Sequence, residues 1–169
     1  MKFFRTQYFL LFVVMVTVAG LSASARADEL YVVSARPSLN QDLNHSGGAG
    51  GLDELRAIFL GEKLFWNDNE RVTAFLPDFN QPGSEIFVQQ ALGMDRQQYI
   101  AHWRRKLFAG KGHPPKETSG EEQVLQLIRG TVGGITVLPH RPKNAKGLQV
   151  LSVDFLQNRI TETSAESAP

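Results

Sequence analysis

The stretch NQPGSEIF, residues 80–87, is the clearest candidate for chemistry in this sequence. A glycine turn leads here into a helix, and the first N–H groups of a helix have no partner within it. Together with the positive end of the helix dipole, such groups form a potential anion site. The candidate ligand-binding residues are Asn80, Gln81, Gly83, Ser84 and Glu85. The alternative, which the spacing alone favours, is that Ser84 serves only as the N-cap of the helix.

No other arrangement of side chains indicates catalysis. The four histidines, His45, His102, His113 and His140, lack the spacing and the cysteine companions of a metal site. The absence of cysteine excludes thiol catalysis, and no GxSxG elbow is present for serine hydrolysis. The carboxylates are scattered, so no pair is suited to act as general acid and base. We therefore predict a protein that is not an enzyme and uses no metal or cofactor.

The N-terminal residues predict export. A basic start is followed by an apolar run over residues 8–18 and by Ala-Arg-Ala at residues 25–27. This is the layout of a secretory signal peptide with cleavage after Ala27. The apolar run is shorter than the roughly 20 residues that span a bilayer, so a retained membrane anchor is the less favoured alternative. Without cysteine for disulfides, the exported chain must rely on an ordinary core, and we expect it in a bacterial periplasm.

The charge balance gives no indication of a nucleic-acid partner. The chain has 18 Lys and Arg residues and 17 Asp and Glu residues, and residues 1–27 contain three of the basic ones and no acid. The predicted mature chain therefore has 15 basic and 17 acidic residues, a net charge of −2. No run of basic residues forms a stripe that would follow a phosphate backbone. The remaining 142 of 169 residues amount to about one domain.

Strands and helices alternate along the mature chain. The predicted strands are residues 29–35, 71–77, 133–139 and 148–154. The predicted helices begin near Leu52, Ser84, Asp95 and Ser119 and end at glycines or at the break of residues 109–115. This alternation predicts an α/β domain over residues 28–156, with a mixed or mostly parallel sheet flanked by helices. Residues 38–51 are predicted to be a polar loop, and residues 157–169 a disordered tail.

The spacing of glycines, caps and apolar residues predicts details of the helices. Gly61 is expected in a left-handed conformation at the end of a helix. Asp95 with Gln98 and Ser119 with Glu122 each have the spacing of a capping box. Tyr99, Trp103 and Leu107 are predicted to share one helix face, as are Val124, Leu127 and Ile128. The residues predicted to be buried are Ile58, Phe59, Trp103, Leu127 and Ile135.

The segment LDELRAIFLGEKLFWND, residues 52–68, resembles the L-x-x-I-F-x-G-x-x-x-x-W segment of the phosphate-binding proteins of bacterial phosphate ABC transporters. These solute-binding proteins belong to the type II periplasmic binding protein superfamily. Ile58, Phe59, Gly61 and Trp66 match the segment. Gly83-Ser84, a tryptophan helix and the strand GGITV then follow in the family's order, and ELYVVSARPS resembles the strand that enters the family's second lobe. The resemblance covers roughly residues 30–153.

The resemblance implies a single lobe of the type II periplasmic-binding-protein-like fold, whereas full members have two lobes that close over the ligand. It also places phosphate at the Gly83-Ser84 turn. This chain has Asn80 where the family has arginine, Pro82 in place of an acid, and Glu85-Ile86 in place of Gly-Thr. Losing a charge-assisted partner costs about 1.5–3 kcal/mol, or at least tenfold in affinity. We therefore expect a degraded ligand loop.

Two functions are compatible with these features. The first is an exported protein that binds phosphate or another small anion and is related to the substrate-binding proteins of phosphate transport. The second is a periplasmic accessory or sensor protein that uses the lobe to bind a periplasmic or membrane protein. The sequence leaves open whether two copies pair to replace the missing lobe.

Overall fold

A computed structural model describes residues 30–44, 51–80, 82–154 and 159–162 of the chain. In this part of the chain, the strands are β1 (Leu30–Ser34), β2 (Thr73–Pro77), β3 (Lys116–Thr118), β4 (Gly134–Leu138), β5 (Gln149–Asp154) and β6 (Arg159–Glu162). The helices are α1 (Leu39–Asn44), α2 (Gly51–Phe59), α3 (Pro82–Gln90), α4 (Arg96–Phe108) and α5 (Glu121–Arg129). None of these helices is long and apolar enough to cross a membrane. The predicted signal peptide and the candidate residues His45 and Gln81 lie outside the described residues.

The strands form one six-stranded sheet in the order β3-β2-β4-β1-β5-β6. β2 runs parallel to both β3 and β4. The pairings of β1 with β4, of β1 with β5 and of β5 with β6 are antiparallel. The fold is therefore α/β with a sheet flanked by helices, as predicted, and the sheet is mixed rather than mostly parallel.

The sheet buries both of its faces. Successive side chains of β1 point to opposite faces of the sheet, as in any pleated strand. Val32 belongs to the larger core cluster and Val33 to the smaller one. Helices α1 to α4 contribute to the larger cluster. Helix α5 packs on the other face, with Val124, Leu125 and Ile128 in the smaller cluster. The chain therefore places helices on both faces of the sheet.

Four of the five residues predicted to be buried are in the core. Ile58, Phe59, Trp103 and Ile135 are buried, but the prediction for Leu127 is wrong, because its side chain is 40% exposed. Leu125 is buried instead. Helix α5 presents residues 124, 125 and 128 to the sheet, so the inward face is rotated away from Leu127.

The predicted helix starts have different outcomes. The capping box at Asp95 is confirmed, since the Gln98 N–H donates to Asp95 Oδ1 and the Asp95 N–H donates to Gln98 Oε1, both at 2.8 Å. The second capping box is wrong, because α5 has Gly120 as its N-cap without a side-chain bond. Ser119 donates through both its N–H and its Oγ to Gln123 Oε1 instead, each at 2.8 Å.

Two segments predicted to lack structure contain regular elements. Within residues 38–51, Leu39 and Leu43 are buried and lie one turn apart in α1, whose outward face is polar. The loop prediction is therefore wrong for α1. Its helical signal is a single pair of leucines at spacing i, i+4, and the Asn and Gln residues around that pair are typical of a polar loop. The boundary at residue 156 also fails for residues 159–162, because β6 pairs with β5 and Ile160 is buried.

The segment between α2 and β2 is fixed by a glycine and a tryptophan. Gly61 has φ +67°, as predicted, and a Cβ there would lie 2.5 Å from Trp103 Cη2, so the close helix contact also requires glycine. Trp66 is buried and its Nε1 donates to the Gly133 carbonyl at 3.1 Å, while the preceding Phe65 is half-exposed. Helix α2 thus ends so that Trp66 can anchor the chain before β2 begins.

A buried ion pair supports the same segment. Arg36, two residues after β1, donates from Nε to Asp42 at 3.1 Å and from Nη2 to Asp68 at 2.9 Å. Its guanidinium also lies 4.9 Å from the centroid of the Trp66 ring. The hydrogen bond from Arg36 lowers the pKa of Asp68 below its ordinary value. These contacts join β1, α1 and the loop that precedes β2.

Candidate functional site

The carboxyl ends of the three parallel strands lie at one edge of the sheet. β2 ends at Pro77, β3 at Thr118 and β4 at Leu138. The chain leaves β2 toward α3 on one face and leaves β3 toward α5 on the other. In open α/β sheets, ligands bind in the crevice outside the carboxyl ends of the strands, where neighbouring connections separate in this way. The predicted turn therefore lies where this architecture places ligand sites.

A cavity of about 270 Å³ occupies this edge. Its walls combine the carboxyl ends of β2 and β4 with the starts of α3 and α5; they are formed by Pro77, Gly83, Gly120, Glu121, Leu138, Pro139 and His140. A Cβ on Gly83 would lie 2.5 Å from Pro139 Cδ, so only glycine permits this approach of α3 to the end of β4. Gly83 therefore has a packing role at the site.

Ser84 is neither an N-cap nor an open ligand donor. Helix α3 already begins at Pro82, so the interpretation of Ser84 as the N-cap is wrong. Its side chain is 1% exposed, and its Oγ donates to the Pro77 carbonyl at the end of β2. The hydroxyl thus joins the first turn of α3 to the strand that precedes it.

Asn80 is occupied by a neighbouring carboxylate. Its backbone N–H donates to Asp78 Oδ1 at 3.0 Å, and its Nδ2 lies 3.0 and 2.9 Å from the two carboxylate oxygens. These hydrogen bonds from Asn80 lower the pKa of Asp78. The Asp78 N–H in turn donates to the Thr118 carbonyl at 3.0 Å. The turn therefore holds an ionised acid at the carboxyl edge and joins β2 to β3.

Acidic side chains surround both helix starts at this edge. Glu85 is exposed in the first turn of α3, and Gln89 Nε2 lies 3.4 Å from its carboxylate. Glu121 and Glu122 lie in the first turn of α5. His140 Nε2 lies 2.6 Å from Glu121 Oε2, and both residues line the cavity. Because these acids already complement the helix dipoles, a bound anion would meet like charge.

Asn80, Gly83, Ser84 and Glu85 lie at one turn, because they are near neighbours in the chain. Asn80 and Ser84, however, use their polar groups within the protein, and Pro82 has no N–H to offer. His140 and Glu121 were not among the predicted site residues, since their proximity depends on how α5 and the end of β4 meet. The cavity presents apolar walls with one His–Glu pair, which suits weak polar recognition better than phosphate capture.

A second surface lies on α4 and was not among the predicted sites. Ile100, Leu107 and Phe108 are exposed, with Phe108 at 85%. Positions 100, 104, 107 and 108 are neighbours on one side of a helix, so these three apolar side chains surround the exposed Arg104. We call these four residues the α4 flank. Leu107, predicted to share a helix face with Tyr99 and Trp103, is not buried as they are. Its side chain is 48% exposed in the last turn, beyond the contact of Trp103 with Gly61.

The opposite side of α4 is fixed to the end of α2. Lys106 Nζ donates to the carbonyls of Leu60 and Gly61 at 2.6 and 2.8 Å. His102 Nε2 lies 3.1 Å from the same Leu60 carbonyl. These bonds satisfy carbonyl groups that a helix end leaves without intrahelical partners. They also hold α4 so that its flank faces away from the core.

The histidines do not converge. Among the described residues, no group of three His, Asp or Glu side chains is placed to hold a metal ion. His102 bonds to a helix end, whereas His140 lies by Glu121 at the carboxyl edge.

Comparison of the chain with protein-family models, curated proteins and solved structures found no match.

Proposed function

We propose that this protein is an exported single lobe of the type II periplasmic-binding-protein kind that acts by binding another protein, as an accessory or sensor. The proposed role is binding without catalysis. The α4 flank is the observation that carries this proposal, because an exposed apolar cluster around an arginine is typical of the centre of a protein interface. The mixed sheet with helices on both faces is compatible with the proposed lobe.

The charge of the surrounding segment indicates what kind of partner the flank fits. Residues 96–116 contain no acid, and their basic residues are Arg96, Arg104, Arg105, Lys106, Lys111 and Lys116. Since the predicted mature chain has 15 basic residues, the rest of it has nine against all 17 acids. The positive charge is thus concentrated around α4, and complementary charge steers association. The partner is expected to present an acidic surface with an apolar recess.

Site-specific crosslinking in the organism that makes the protein tests this proposal. A photo-reactive residue at Phe108 is expected to give an adduct of discrete size, whereas one at the exposed Lys143 should not. Arg104→Glu in the same chain should abolish the adduct, because it reverses the charge at the centre of the flank. Equal adducts from both positions, or an adduct that survives Arg104→Glu, would contradict the proposal. Binding to anionic vesicles that depends on Phe108 would instead assign the flank to a lipid surface.

A second candidate function is weak binding of phosphate or another small anion at the Gly83-Ser84 turn. Its support is the position of the turn beside a cavity at the carboxyl edge of the parallel strands. Glu85→Gln should tighten such binding, because it removes a negative charge from the first turn of α3. Ser84→Ala should weaken it by loosening the turn, because the Ser84 hydroxyl joins the start of α3 to the Pro77 carbonyl. Calorimetry with phosphate and with sulfate measures both effects. No heat at millimolar anion, in the wild type or in Glu85→Gln, would eliminate this candidate.

Export is part of both proposals. We expect the secreted chain to begin at Asp28 and to be soluble after cell lysis, since residues 1–27 have the pattern of a cleaved signal peptide. N-terminal sequencing of the periplasmic fraction measures this directly. Recovery of only the uncleaved chain, in membranes, would reverse the prediction.

A further inference from the structure

A larger cavity opens at the amino end of β2, away from the predicted turn. It has a volume of about 530 Å³ and lies between the segment that precedes β2, helix α4 and the loop that leads into β3. Ile58, Val72, Ala74 and Trp103 give it an apolar floor. We call this cavity the groove. Small-molecule sites typically have volumes of about 300–1,000 Å³ and mostly apolar linings, which the groove matches.

The late start of β3 creates the groove. β3 begins at Lys116, opposite Phe75, so Thr73 and Ala74 of β2 extend past its first residue. The two residues before β3 are Pro114 and Pro115, which carry no N–H and cannot continue the ladder as donors. These four residues lie outside the ladder between β2 and β3, and all of them line the groove. The late start of β3 therefore leaves its side of β2 uncovered at this position.

Basic side chains line the groove. Lys63, Arg71, His113 and Lys116 line it, and no Asp or Glu is among the described residues that do. Lys63 is paired with Glu54, but Arg71 and Lys116 form no salt bridge within the described part of the chain. Lys116 Nζ lies 5.8 Å from the centroid of the Phe75 ring, a contact that leaves its charge uncompensated. The groove thus combines an apolar floor with two exposed cations that lack an acidic partner.

We propose that the groove binds an organic carboxylate with an apolar body. The body would lie over Ile58 and Trp103, and the carboxylate would bind between Arg71 and Lys116. Inorganic phosphate would use the cations but leave the apolar floor without a partner, whereas a neutral apolar molecule would leave the cations unused. A ligand with both parts matches both features. This proposal is independent of the α4 flank, which uses other side chains of the same helix.

Binding of octanoate to the mature chain tests the proposal. Octanol supplies the same apolar body without charge, and acetate supplies the charge without the body, so each should bind at least tenfold more weakly than octanoate. The chain has two tryptophans, and only Trp103 lines the groove. In nuclear magnetic resonance spectra, octanoate is therefore expected to shift the indole N–H signal of Trp103 and to leave that of Trp66 in place. Trp103→Phe assigns the two signals.

A charge-removal variant completes the experiment. Arg71→Gln combined with Lys116→Gln should weaken octanoate binding at least tenfold, while the control Lys143→Gln, an exposed cation outside the groove, should leave it unchanged. Both variants change exposed side chains, and their thermal melting curves show whether the fold is kept. Single substitutions at Arg71 and Lys116, each expected to give an intermediate loss, replace the double variant if it melts early. Equal affinity for octanol, no binding of octanoate, or a shift of Trp66 alone would overturn the proposal.

Discussion

At its carboxyl end, β2 leads into the Gly83-Ser84 turn, and at its amino end it opens onto the groove. The carboxyl end has the features that sequence rules associate with anion binding, yet Ser84 and Asn80 bond to Pro77 and Asp78 within the protein. The amino end has no recognisable motif, but Arg71 and Lys116 lack an acidic partner among the described residues. A helix start predicts where a ligand would fit the architecture. Only the hydrogen bonds that its polar groups already make show whether those groups can still bind a ligand.

The largest effect is expected from Gly83→Ala at the carboxyl end. The added methyl group would lie 2.5–2.8 Å from three atoms of the Pro139 ring. Such overpacking costs about 2 kcal/mol of unfolding free energy, which denaturant titration measures. Gly120→Ala is the matched control in the same cavity, because a Cβ there meets nothing within 4 Å. If both substitutions have equal effects, the contact of Gly83 with Pro139 is not what requires glycine.

Ser84→Ala is expected to have a smaller effect on stability. It removes the buried hydroxyl that donates to the Pro77 carbonyl, which costs about 1–2 kcal/mol when the remaining group stays buried. Denaturant titration should show this loss in the absence of any anion. A variant as stable as the wild type would indicate that the hydroxyl is free to serve a ligand, and would favour the anion-binding candidate.

Arg71→Gln at the amino end is expected to leave stability nearly unchanged. The side chain is exposed and forms no salt bridge with another described residue, so the change in unfolding free energy should stay within about 0.5 kcal/mol. Thermal melting against the wild type measures it. A loss as large as that of Ser84→Ala would mean that Arg71 supports the fold, and the two ends of β2 would no longer differ in this respect.

The sequence predicted the order of the central elements because their strands are buried and their helices carry capping or glycine signals. It also placed Gly83 and Ser84 in a turn between a strand and a helix, and such a turn lies at the carboxyl end of its strand. It did not predict that Ser84 bonds to Pro77, because helix-start spacing does not specify which carbonyl a hydroxyl reaches. The groove depends on the register in which Lys116 pairs with Phe75, and pairing register is a property of the assembled sheet.

The smallest expected effect concerns the titration of Asp78 at the carboxyl end. Hydrogen bonds from the backbone and side chain of Asn80 hold the pKa of this carboxyl below its ordinary value of 3.8. Because the folded pKa is the lower one, the stabilisation is fully present above pH 3.8 and is lost as the pH falls through the folded value.

Nuclear magnetic resonance of the carboxyl carbon against pH measures the Asp78 titration. Asn80→Ala removes the side-chain donor and keeps the backbone N–H, so the pKa of Asp78 should rise part of the way toward 3.8. The control Asn144→Ala, on an exposed loop away from the turn, should leave it in place. A pKa of Asp78 that does not respond to Asn80→Ala would show that the side-chain bond is not what lowers it. In either case Asp78 is ionised at neutral pH, because its pKa does not exceed 3.8, so a negative charge adjoins the predicted anion turn. The carboxyl end of β2 therefore opposes the ligand that its architecture would otherwise receive.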